Sequence, residues 1–168
     1  MISENKAFRI RAARAEDCEN LFAMIMEFAD YTGNSGIVTT TLDKLRESFF
    51  EKKQAEALIA FDGETPAAYA VFYQGYSTWM AQATLFLEDL YIREQYRRGG
   101  LGGQLFSRLA GVCVERGYGR MEWCCRDWNT KAIAFYTKNG GERYEATGVY
   151  HLEAPRIRSL AEKSAALF

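Results

Sequence analysis

Two groups of residues in this 168-residue chain are of types and spacings that do chemistry. The first is Arg97-Arg98-Gly99-Gly100-Leu101-Gly102-Gly103, which joins an apolar run, Thr84–Ile92, to a stretch with helical apolar spacing. Glycines let the main chain approach an anion closely, and the first N–H groups of a helix, at the positive end of its dipole, can receive a phosphate. Arg97 or Arg98 adds positive charge. In that context the run is a pyrophosphate-binding turn; on glycine content alone it is equally a flexible surface turn. No Gly-Lys-Ser/Thr closes a P-loop, and Leu105 stands where a dinucleotide fingerprint has its third glycine. The second group is Glu88-Asp89, set inside an otherwise apolar strand. Two carboxylates there are costly unless they are solvated, paired or catalytic. Consecutive strand residues face opposite ways, so both reach one cleft only if a bulge breaks the alternation; otherwise one of them closes a salt bridge at the strand's edge.

The elements that must position these groups follow from periodicity. Phe8–Arg11 alternates like a short strand, and Asp17 precedes an apolar stripe of Leu21, Phe22, Ile25, Met26 and Phe28 at helical spacing. A polar loop, Thr32–Thr40, leads to a second helix over Thr41–Lys52, with Leu42, Leu45, Phe49 and Phe50 on one face. Asp62-Gly63-Glu64-Thr65 is a hairpin turn between strands at Ala57–Phe61 and Pro66–Tyr76. Thr84–Ile92 is apolar enough to be covered on both faces, and Gly100–Arg116 is a helix carrying Leu101, Leu105, Leu109 and Val112. Gly117-Tyr118-Gly119 ends it. A strand over Arg120–Cys125, a short helix over Thr130–Lys138, one or two strands within Glu142–Glu153 and a terminal helix over Arg156–Ala165 complete the chain.

Composition narrows the function classes. One domain spanning 1–168 is expected, large enough to bury about 70% of its unfolded surface. Hydrophobic residues make up 48% and charged residues 26%, with two prolines, the profile of an ordered globular protein. A net charge of −1 leaves no basic field to collect nucleic acid or an acidic membrane, so small molecules or proteins are the expected partners. No run approaches the length of a membrane span, and a cytoplasmic location is expected. Cys18, Cys113, Cys124 and Cys125 lack zinc-ligand spacing and the chain has one histidine, so reduced, mostly packed thiols and no metal site are expected.

The spacing Arg-x-x-Gly-x-Gly resembles the acetyl-CoA signature of the GNAT N-acetyltransferases, written Gln/Arg-x-x-Gly-x-Gly/Ala. Tyr76-Ser77-Thr78-Trp79, Leu87-Glu88-Asp89-Leu90-Tyr91-Ile92, Tyr96-Arg97 and Asp127-Trp128-Asn129 are similar to its diamine branch, which holds the spermidine/spermine and thialysine acetyltransferases. The resemblance covers nearly the whole chain. It implies an α/β (α+β) fold: a central mixed, mostly antiparallel sheet of about six or seven strands, about four flanking helices, and fourth and fifth strands splayed around the cofactor. It implies direct acetyl transfer, in a ternary complex, from acetyl-CoA to a primary amine of a small cationic substrate, and a homodimer. Acetyl transfer to an amine needs a neutral nucleophile, a polarised thioester carbonyl and a proton donor for the thiolate. By resemblance Glu88 acts through water as general base and Tyr136 as general acid, whereas on sequence alone Tyr136 is as readily a packed aromatic. A lone strand carboxylate in an apolar cleft should have a raised pKa. His151 is a bystander.

By the same resemblance the main chain of Leu90, Tyr91 and Ile92 lies along the pantetheine arm. Arg97, Arg98, Gly99, Gly100, Leu101, Gly102 and Gly103 hold the pyrophosphate, and Asn129, Thr130, Lys131 and Tyr136 also contact the cofactor. Asn129 would serve as a helix N-cap in any protein. Tyr31, Trp79, Glu88 and Asp89 are the substrate-side residues, with Glu27 and Asp30 either completing an acidic pocket or forming a solvated face. Thr32 departs from the glutamate of the spermidine/spermine enzymes. A protein, peptide or aminoglycoside acceptor, and a non-catalytic acyl-CoA sensor, are the alternatives.

Overall fold

In the computed structural model the described residues are 8–145, 147–148, 152–153 and 155–158. They fall into two compact units, divided between Cys124 and Cys125. The first unit is built on a sheet of five strands in the order β1-β2-β3-β4-β5. These are β1 (Arg9–Ala12), β2 (Glu56–Asp62), β3 (Thr65–Ser77), β4 (Gln82–Ile92) and β5 (Met121–Trp123). The first four are antiparallel and β5 runs parallel to β4, so the sheet is mixed and mostly antiparallel. The further strands expected within Glu142–Glu153 rest partly on residues outside the described set; the described residues there carry none. His151 and most of the terminal helix also lie outside it, with residues 155–158 helical.

Alternation sorts the strands into two cores. Ala68, Ala70, Phe72, Leu85 and Leu87 pack beneath α3 (Leu101–Arg116), which buries Leu101, Leu105, Leu109 and Val112 on one face as its spacing requires. Ile59, Phe61, Tyr69, Val71 and Tyr91 face the other way, onto α1 (Cys18–Tyr31) and α2 (Leu42–Arg46). This double cover explains the apolar run of β4. Helix α1 is turned slightly from its expected phase: Met24 is fully buried and Met26 is not, because Cys18, Leu21 and Met24 define its innermost line.

Among the boundaries that differ from the sequence reading, three do so for local reasons. The second helix starts as expected, with Thr41 Oγ1 accepting from Lys44 N at 3.3 Å, but it becomes a π-helical turn over Glu47–Glu51. The β2–β3 turn has Gly63 and Glu64 at its tip, because Asp62 already pairs with Thr65 and only Gly63 takes a positive φ, +60°. Strand β5 is three residues long, since its ladder with β4 ends at Leu87↔Trp123. Helix α3 ends at Gly117 in the left-handed region, with Tyr118 N donating to Cys113 O at 2.8 Å. The second unit contains α4 (Thr130–Lys138).

Candidate active site

A bulge in β4 builds the acidic part of the site. Val71 pairs with Asp89 and Phe72 with Leu87, so Glu88 has no partner on β3. The extra residue inverts the alternation: Leu87 before it and Leu90 after it both pack toward α3, while Asp89 and Tyr91 lie on the α1 side. Glu88 is exposed, and its charge acts on Asp89 and on Tyr73, which belong to that same side of the sheet. The bulge that the sequence required for both carboxylates to reach one cleft is present.

The two acids differ in environment. Asp89 is half-buried, and burial followed by the neighbouring Glu88 charge pushes its carboxyl up to about 6, against a smaller downward pull from the Tyr69 hydroxyl, which donates to Asp89 Oδ2 at 3.4 Å. Among the described residues no lysine or arginine pairs with Glu88 or Asp89. Glu27, on α1, has a different fate. Arg93 donates to it through Nη2 at 2.7 Å and Nε at 3.0 Å, and Tyr91 Oη lies 3.4 Å from it. Its charge is therefore spent on Arg93, and Asp30, exposed, accepts from Ser35 Oγ. At the bulge itself the acidic character rests on Glu88 and Asp89. Thr32 turns its hydroxyl back to Phe28 O at 3.0 Å and accepts from Asn34 Nδ2, capping the end of α1.

The glycine run fits a bound pyrophosphate. Gly100 has φ +80° and precedes α3, whose first residues, Leu101, Gly102 and Gly103, have no carbonyl one turn back within the helix. Arg98, also left-handed at φ +68°, is exposed beside them. Arg97 is engaged elsewhere: Nε donates to Ile92 O at 2.8 Å, and the guanidinium lies 4.6 Å from the Tyr31 ring centre and 5.7 Å from that of Tyr91. The β4 edge from Glu88 to Ile92 lies beyond the last β5 pair, so within the first unit's described residues its main chain on that side is open to a ligand's amides, except for the Ile92 carbonyl already taken by Arg97. A mononucleotide with a peptide-like arm, which is what acetyl-CoA presents, matches an anion turn followed by an open strand edge.

The remaining expected residues are placed as follows. Tyr31, 47% exposed, closes α1 under Arg97. Trp79 is 99% exposed at the β3–β4 tip; six steps along the strand, roughly 20 Å, lead from Gln82 at the base of that tip to Glu88, so its own chain does not bring it to the carboxylates. In the second unit, Asn129 Oδ1 accepts from Ala132 N at 3.2 Å and so caps α4, with Thr130 and Lys131 in its first turn. Tyr136 is half-buried on that helix, its ring 5.3 Å from Phe135, and burial raises its phenol to about 12. It is thus protonated at neutral pH, the state a proton donor requires. Sequence reasoning missed Tyr69 and Arg93. Tyr69 reads as one more aromatic in a strand, and the partner of Arg93 lies 66 residues away.

Comparison with known proteins agrees with this geometry. The sequence model of the acetyltransferase (GNAT) family matches residues 12–141. The chain is 43% identical over 131 residues to a thialysine N-epsilon-acetyltransferase of Caenorhabditis elegans, covering 78% of this chain and 81% of that one. It is 32% identical over 166 residues to the thialysine N-epsilon-acetyltransferase of Sus scrofa, covering 92% and 97%. In fold it is similar to an integron cassette protein of V. cholerae, with a TM-score of 0.78 at 18% identity over 94% of this chain and 99% of that one. The chain belongs to the acetyltransferase (GNAT) family, near its diamine and thialysine branch, and is an acetyltransferase.

Proposed function

We propose that the protein transfers an acetyl group from acetyl-CoA to a primary amine of a small cationic substrate, a polyamine, diamine or lysine-like amino acid, by direct attack. The observation that carries this reading is the carboxylate pair at the β4 bulge, on an open strand edge that leads to the anion turn. A pair of carboxylates with no matching cation among the described residues selects an ammonium over a neutral or acidic acceptor. The thialysine relatives support the same class of acceptor.

Bound acetyl-CoA supplies the thioester. Gly99 to Gly103, with Arg98, would hold its pyrophosphate, and the β4 main chain its amide arm. Glu88, exposed and at the bulge, takes a proton from the substrate ammonium through water. Asp89 holds the cationic substrate in place. Tyr136, protonated and half-buried, gives a proton to the thiolate, with Asn129 fixing the start of its helix. Direct attack by the amine needs no acetyl-enzyme. The reading includes a homodimer in the cytoplasm, which light scattering and fractionation would check.

The test is acetyl-CoA-dependent thiol release with spermidine, putrescine, lysine, thialysine, an aminoglycoside and a lysine peptide. Turnover should be confined to the small amines. Glu88→Gln and Tyr136→Phe should each lower it at least about tenfold while acetyl-CoA affinity is kept. Unchanged turnover in both variants refutes the residue roles, and turnover confined to the peptide or aminoglycoside refutes the substrate class.

A further inference from the structure

We propose that Tyr69 is a positioning residue of the amine site, its buried hydroxyl fixing the Asp89 carboxylate on the side of the sheet where Glu88 also acts. The inference rests on the amine-binding reading of Asp89 given above. Tyr69 sits on β3, two residues before the partner of Asp89, and has no exposed surface. Its ring packs in the α1-side core with its centre 6.1 Å from that of Tyr91. A phenol placed there must find an acceptor, because a buried hydroxyl with no partner has lost its water and gained nothing in return. The acceptor the fold offers is Asp89 Oδ2, at 3.4 Å. A phenylalanine would fill the same volume without that demand, so the hydroxyl is a feature of the carboxylate's surroundings and not of the core.

The direction of the bond is fixed. Burial and the charges of Asp89, Tyr91 and Glu27 push the ionisation of Tyr69 far beyond its ordinary range, so it is a donor throughout the working pH range. Asp89 is in turn opposed by burial and by Glu88, both of which favour its protonated form, a poor partner for an ammonium. Tyr69 works against them. The other titratable groups of this side include Tyr73 on β3, Tyr91 on β4, and Cys18, Glu27 and Tyr31 on α1; Glu27 is matched by Arg93, and the Arg97 guanidinium lies against the Tyr31 and Tyr91 rings. Without the Tyr69 donor, nothing on the neighbouring strand holds Asp89 charged before the amine arrives.

The experiment is a pH titration of the full-length protein labelled with [13C]aspartate at the carboxyl, with Asp89→Asn identifying the resonance, alongside kinetics on spermidine and thialysine. The resonance should titrate near the expected value of about 6, move up by roughly half a pH unit in Tyr69→Phe and move down in Glu88→Gln. Tyr69→Phe should raise the amine KM about two- to tenfold, with the acetyl-CoA KM unchanged and the ring packing kept. An Asp89 titration and an amine KM that Tyr69→Phe does not move would overturn the proposal and leave Tyr69 a core residue. If Tyr69→Phe does not fold, 3-fluorotyrosine at position 69, a stronger donor of nearly the same size, should move the titration down, and no movement counts against the proposal. If wild-type protein turns over neither amine, the substrate reading fails, while the titration still judges the link from Tyr69 to Asp89.

Discussion

Replacing Asp89 by asparagine should make the protein more stable and less active. The carboxyl titrates at about 6 in the folded protein against an ordinary value of 3.8, so ionising it costs more in the native state than in the unfolded chain. At about 1.4 kcal/mol for each tenfold change, the wild-type protein gives up roughly 3 kcal/mol above pH 6 by keeping this group. The sign follows from proton binding: between pH 4 and 6 the native state holds a proton that the unfolded state has lost. This contribution is therefore favourable below about pH 4 and is lost as the pH rises through 6. Asparagine has nothing to ionise and still offers Tyr69 a carbonyl acceptor. The variant should gain up to about 3 kcal/mol at pH 8, roughly 6–10 °C in Tm for a chain of this size, and about half as much at pH 5. Urea and thermal melts of both proteins at the two pH values, paired with thiol release on spermidine or thialysine, give the answer. A variant no more stable than wild type at pH 8, or a gain as large at pH 5, would refute the account of Asp89 as a strained, ionised acid.

Three further substitutions probe the frame around it. Gly100→Glu puts a side chain at φ +80° and a negative charge at the anion turn, and calorimetry should show acetyl-CoA affinity reduced at least about tenfold; normal affinity would refute the loop's role. Glu27→Gln leaves Arg93 and Tyr91 a weaker acceptor, so denaturant melts should show a loss of about 1 kcal/mol, while the amine KM stays within roughly twofold because that charge is already matched. Leu105→Ala, at the fully buried centre of α3, should cost about 2–5 kcal/mol without changing the acetyl-CoA KM of the folded fraction.

The glycine turn and the strand and helix around it were legible in the sequence because each is set by residues within a few positions of one another. The bulge was legible only as a condition: Glu88-Asp89 states that alternation must break if both acids serve one cleft, but the shift is visible only against Phe72 and Val71 on the next strand. The identity of the working acids was not legible. Glu27 and Glu88 look alike in a sequence, and what separates them is Arg93, which closes on Glu27 across 66 positions and leaves Glu88 without a cation among the described residues. The π-helical turn over Glu47–Glu51 was hidden as well, since Phe49 and Phe50 fit either helical period and both pack against the α1-side core.

Glu88 also behaves as an insertion. Without it, Leu87 would be followed directly by Asp89 and Leu90, and the in-and-out rhythm of β4 would run unbroken from Thr84 to Ile92 with every apolar side chain still on its own core. The strand is a complete piece of scaffold with one amino acid added to it, and that amino acid is the proposed base. Scaffold and chemistry are thus separable at a single codon: deletion of residue 88 should leave a sheet that still closes and a protein that has lost its proton acceptor, whereas deleting any neighbouring core residue would put the two halves of the strand out of phase.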